Sequence, residues 1–211
     1  MKTLVISFLV LFAISFTGYS QDTVFVHGHS QWNVGLKAGI NFSSAYALPE
    51  AFTAKPTVNF AGGLFMEIPL CRSLSLQPEV LFSTRGIKGT GTSPTNPYSF
   101  TRTTNHLDVP VLLVIKPARF ISLLAGPQFS YLLRHHDSFS AGAPATRDEF
   151  NREPVRKTNV AIVIGAEFIV QHLVFSTRLG WDVLPNTNSS TDLTPRYKYV
   201  WYQAALGYKL F

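Results

Sequence analysis

From Trp32 to Phe42 the even positions are Trp, Val, Leu, Ala, Ile and Phe, and the odd positions are Asn, Gly and Lys only. A period of two, with one apolar and one polar face, marks a strand rather than a helix. Seven further runs repeat the pattern. Val58, Phe60, Leu64, Met66 and Ile68 oppose Asn59, Ala61, Gly63 and Glu67 in the second, and Leu74, Leu76, Val80 and Phe82 oppose Ser75, Gln77, Glu79, Ser83 and Arg85 in the third. The fourth sets Leu107 to Ile115 against His106, Asp108 and Lys116, with Leu112 and Val114 interrupting its polar face. The fifth runs from Ile121 to Leu133, the sixth from Val160 to Val170, the seventh from Leu173 to Trp181, and the last from Val200 to Leu210.

The connections alternate in length. Long ones are expected at 43–56, 87–104, 134–156 and 182–195, and short ones at 69–73, 117–119 and 171–172. Short turns at one end and long loops at the other belong to an all-β, closed, antiparallel, up-and-down transmembrane barrel of about eight strands, with periplasmic turns and extracellular loops. Strands of about 11 residues, at about 3.3 Å each and tilted about 40°, cover roughly 25–28 Å, the height of the apolar band such barrels need.

The polar rows then line the interior, which in a barrel of about eight strands is filled by side chains. Lys37, Arg85 and Arg178 are expected there against Glu67, Glu79, Asp108 and Glu167, a near balance of sign that a dry interior requires. Two pairings follow from the pattern. Glu167 and Arg178 become diagonal neighbours if Gln171-His172 is the turn, and Lys37 reaches Glu79 across Gly62 and Gly63 on the strand between. Phe100, Tyr131, Trp181, Tyr197, Tyr199 and Trp201 at the outer rim, and Trp32 and Phe120 at the inner one, read as aromatic girdles.

Composition agrees with this picture. The 211 residues are 46% hydrophobic and 14% charged with a formal net charge of +6, too apolar for a disordered chain, and one cysteine, Cys71, excludes a disulfide scaffold. Lys2, the apolar run from Leu4 to Phe16, and the small residues Gly18 and Ser20 form a secretory signal peptide over 1–20, cleaved before Gln21. Residues 21–31 are then an N-terminal periplasmic segment and 32–211 the barrel domain. Export places the chain in the outer membrane, away from nucleic acid.

Four short motifs carry a family resemblance. Gly35-Leu36-Lys37-Ala38-Gly39-Ile40-Asn41, Leu76-Gln77-Pro78-Glu79-Val80-Leu81-Phe82-Ser83, Leu107-Asp108-Val109-Pro110-Val111-Leu112-Leu113 and Leu124-Ala125-Gly126-Pro127 stand in this order. They resemble the first, third, fourth and fifth strands of the PorT-like outer membrane protein β-barrel family of Bacteroidetes. The resemblance implies a small barrel in outer-membrane lipid, inserted by the barrel-assembly machinery. The family's namesake serves a protein-secretion and gliding system. Tyr208, Leu210 and Phe211 would form the insertion signal, with Phe211 one residue beyond the apolar register.

Candidate chemistry is sparse. No nucleophile elbow, phosphate-cradling loop or His-Glu-x-x-His motif is present, so no catalytic residue, enzyme activity or cofactor is expected. His27-Gly28-His29 and Arg134-His135-His136-Asp137 lack the complete ligand set of a metal site. The mixed-charge stretch from Arg147 to Lys157 reads as a solvated loop. The primary reading is a structural or interaction protein whose long outer loops meet a protein partner. Two others stay open: a small lipid-modifying enzyme using His106 and Asp108 at the outer rim, and a secreted soluble barrel holding an apolar ligand.

Overall fold

The computed structural model describes residues 32–46, 52–92, 97–139, 156–185 and 197–210. Eight strands form the fold: β1 (Asn33–Tyr46), β2 (Phe52–Cys71), β3 (Leu74–Thr92), β4 (Pro97–Ala118), β5 (Ile121–Phe139), β6 (Thr158–Val170), β7 (Leu173–Asp182) and β8 (Lys198–Lys209). Each pairs antiparallel with its sequence neighbours, and β1 pairs with β8, so the sheet closes on itself. Closure removes the unpaired edges that lipid could not satisfy. The expected signal peptide at 1–20, the segment 21–31, His27, His29 and Phe211 lie outside the described residues.

Alternation decides which way each residue points. Leu36, Ile40, Phe60, Leu64, Val80, Phe82, Leu123, Phe129, Ile164, Phe168, Phe175 and Leu206 are exposed on the outer surface, while the polar rows are buried in the lumen. An apolar exterior around a charged interior is the reverse of a soluble barrel, and it overturns the reading of a secreted carrier with a greasy cavity. The lumen is not wholly polar. Leu112, Val114, Leu124 and Val163 cluster within it, so the two residues that interrupt the fourth polar row form an apolar lining.

Two-residue turns at Arg72-Ser73, Arg119-Phe120 and Gln171-His172 close one end. Gln171 takes a φ of 56°, the left-handed backbone of a primed hairpin turn. The opposite end departs from expectation. Most of 43–56 and of 87–104 is strand, so the β1–β2 and β3–β4 connections shrink to 47–51 and 93–96, and β2 to β5 run well past the short β6 to β8. The alternation of apolar with polar residues fades there because the outer face of an extension beyond the membrane meets water instead of lipid, while the inner face still buries polar residues such as Arg102 and Thr104. Register shifts on β2 between Pro56 and Ala61, and on β4–β5 between Asn105 and His106, mark where the extended wall begins.

The exposed aromatics divide accordingly. Tyr131 and Tyr202 face outward toward the loop end, while Trp32, Phe120 and Tyr208 do so toward the turn end. Tyr197, Tyr199 and Trp201 do not join the outer girdle: all three are buried in the lumen, because they occupy the odd row of β8 that Gln203 and Gly207 share.

Candidate functional site

All seven charged residues expected inside, Lys37, Glu67, Glu79, Arg85, Asp108, Glu167 and Arg178, are buried, none more than 4% exposed. They form three layers. In the middle layer Arg178 grips Glu79 with both arms, Nη1 donating to Oε2 at 2.6 Å and Nη2 to Oε1 at 2.7 Å. The same Nη2 donates to Glu167 Oε1 at 2.9 Å, and Lys37 Nζ donates to Glu79 at 3.0 Å and to Glu167 at 2.8 Å. Gln77 and Ser176 donate to the same two carboxylates, at 2.7 Å and 3.2 Å. Two cations thus meet two carboxylates that accept from further donors as well, which favours the burial of such charges.

Glycine makes this layer reachable. Lys37 is in register with Gly63 on β2, and with no side chain there the lysine crosses β2 to Glu79 on β3. Its ammonium also lies 5.0 Å from the Phe65 ring centroid.

A second layer lies toward the loop end. Asp108 Oδ2 accepts from Arg85 Nη2 at 2.7 Å and from Ser83 Oγ at 2.6 Å. Across the lumen Arg85 Nη1 is 3.6 Å from Asp182, whose other oxygen accepts from the Tyr199 backbone N–H at 3.3 Å. The Arg85 guanidinium lies over the Trp201 ring, with Tyr197 and Tyr199 packed edge to face beside it. At the turn end a third layer joins Glu67 to Lys209, at 2.9 Å, and to Lys116.

Sequence reasoning missed Asp182, Arg102, Lys116, Lys209 and the buried aromatics as parts of the interior. Asp182, Lys116 and Lys209 lie on rows already read as polar, so parity held the signal. Arg102, buried at 1%, fell within a stretch read as loop. His106 and Asp108 share one face of β4. Both point into the lumen, 7% and 2% exposed, and neither imidazole nitrogen of His106 has a hydrogen-bond partner among the described residues. His135 and His136 are strand neighbours and so point to opposite faces, and no group of three or more His, Cys, Asp or Glu converges among the described residues.

Some bonds follow the wall between adjacent strands, as Arg178–Glu167 and Arg85–Asp108 do, and two others cross the lumen. Arg178 on β7 and Glu79 on β3 stand four strands apart in a ring of eight, diametrically opposed, as do Arg85 on β3 and Asp182 on β7. The interior is cross-braced at two levels, and the braces occupy the path that a solute would take.

A family model described as an outer membrane protein beta-barrel domain matches residues 17–182. No curated protein matches the chain. Among solved structures, the chain is similar to Neisserial surface protein A at 11% identity and a TM-score of 0.45, covering 87% of this chain and 100% of that one. It is similar to Ail, the attachment invasion locus protein of Yersinia pestis, at 10% identity and a TM-score of 0.42, covering 83% and 98%. The outer membrane protease OmpT from Escherichia coli matches at 8% identity and a TM-score of 0.41, covering 90% and 100%.

Proposed function

This chain belongs to the outer membrane protein beta-barrel domain family, and from that premise we propose that it is a closed, non-conducting membrane anchor that holds an extended wall, β2 to β5, beyond the outer membrane as an interaction surface. The family places it in the outer membrane. The observation that carries the closed state is the Arg178–Glu79 bridge across the full width of the lumen, reinforced by Lys37 and Glu167. A conducting pore needs a continuous water path, and an eight-stranded barrel crossed by paired side chains leaves no width for one.

The finer reading is that the chain is a PorT-like member with a role in envelope secretion or transport, exported by a signal peptide over 1–20 and inserted by the barrel-assembly machinery through Tyr208, Leu210 and Phe211. The four early motifs support the first part, and the outward exposure of Tyr208 and Leu210 supports the last. The expected protein partner meets the β2–β5 wall and the connections at 140–157 and 183–197. The full chain, reconstituted in planar bilayers, is expected to show no steady conductance steps above the lipid background. Stable, uniform open-channel steps would overturn this reading.

A further inference from the structure

Among the described side chains every carboxylate, Glu67, Glu79, Asp108, Glu167 and Asp182, is buried in the lumen. The cations are not so confined. Lys55, Lys88 and Arg134 are exposed on the extended wall. Their direction follows from register, since residues paired across an antiparallel ladder share a face. Lys88 continues the outward row of β3 above Phe82, and Lys55 is its direct partner on β2. Arg134 pairs with Asn105, on the outward row of β4 above Leu107.

Two of the three point outward only because of the register shifts. On β2 the outward residues Val58, Phe60 and Leu64 are even-numbered, so Lys55 would face inward in a regular strand; the extra residue between Pro56 and Ala61 reverses this. On β5 the buried residues Ser130 and Leu132 are even-numbered, and the extra residue Leu133 turns Arg134 out in the same way. Bulges re-aim side chains, and here both re-aim a cation to the outer face just beyond the end of the exposed apolar belt.

Directly opposed like charges destabilise a sheet, and Lys55 and Lys88 have no carboxylate beside them among the described residues to offset this. An anion is therefore wanted at this level, on a surface whose lower part, Val58, Phe60, Phe82 and Leu107, is apolar. A molecule with phosphate above acyl chains meets both demands. We propose that Lys55 and Lys88, with Arg134 two strands away on the same outer face, bind the phosphate groups of a phosphorylated glycolipid of the outer leaflet, whose acyl chains lie against Val58, Phe60, Phe82 and Leu107. This goes beyond the anchor reading, which needs no particular lipid.

The test titrates the folded full chain in detergent with bisphosphorylated lipid A, with dephosphorylated lipid A and with inorganic phosphate, counting bound lipid by native mass spectrometry. The phosphorylated lipid is expected to bind at least about tenfold more tightly than the dephosphorylated one, about 1.4 kcal/mol. Lys55→Gln with Lys88→Gln should abolish that preference, while Arg72→Gln at the turn end leaves it intact. Equal affinity for the two lipids, a preference that survives the double substitution, or displacement of the lipid by millimolar inorganic phosphate would overturn the proposal. Heat-modifiable migration verifies that the variants are folded. If they are not, the preference of the unaltered chain must weaken as salt rises from about 50 to 500 mM, and a salt-independent preference would count against the site.

Discussion

The guanidinium carbon of Arg85 lies 3.8 Å from the centroid of the Trp201 ring, inside the lumen. Trp32 is instead exposed at the turn end, and Trp181 continues the outward row of β7 with Leu179. Single-tryptophan variants in vesicles of brominated lipid should therefore divide. Emission from Trp32 or Trp181 is quenched, and emission from Trp201 is protected by the wall. Quenching of all three alike would contradict the assignment of the β8 odd row to the interior.

Gly63 leaves the gap through which Lys37 crosses β2, and a Cβ placed there meets the Val80 carbonyl oxygen and the Leu81 backbone. Gly63→Ala is expected to cost about 1–3 kcal/mol, in the range of overpacked interiors. A lower urea midpoint of the barrel folded in vesicles checks this, and an unchanged midpoint would contradict it.

His106 and Asp108 share a face but not a role in stability. Both imidazole nitrogens lack hydrogen-bond partners among the described residues, so His106→Leu should change stability by no more than about 1 kcal/mol, or raise it. Asp108→Leu strips Arg85 of its nearest carboxylate and should cost about 3–5 kcal/mol. Equal losses in equilibrium urea unfolding would show that His106 has a partner the geometry does not assign.

Much of this was legible in the residues, for physical reasons that differ by region. Where lipid lies outside and charge inside, alternation is strong, and Lys37, Glu79, Glu167 and Arg178 could each be given a face and a reach from parity and the intervening glycines. Beyond the membrane Thr101, Thr103 and Asn105 face outward while Arg102 and Thr104 face in, so both rows are polar and the strand loses its signature. The β2 and β5 bulges leave no mark in composition, yet they reverse the face of Lys55 and Arg134. Tyr197, Tyr199 and Trp201 resemble girdle residues by type, but the odd row they occupy sets their face and turns them into the lumen.

The central claim is that charged braces across the lumen lock the barrel, and the Glu79–Arg178 pair tests it most directly. A double-mutant cycle with Glu79→Gln, Arg178→Met and both together, read by equilibrium urea unfolding in vesicles, isolates their coupling. Each single change is expected to cost about 3–5 kcal/mol by leaving the buried layer of two cations and two carboxylates with an unbalanced charge. The double variant should lose less than their sum, with a coupling of about 1–3 kcal/mol. Strictly additive losses, or single variants as stable as the unaltered chain, would contradict the lock.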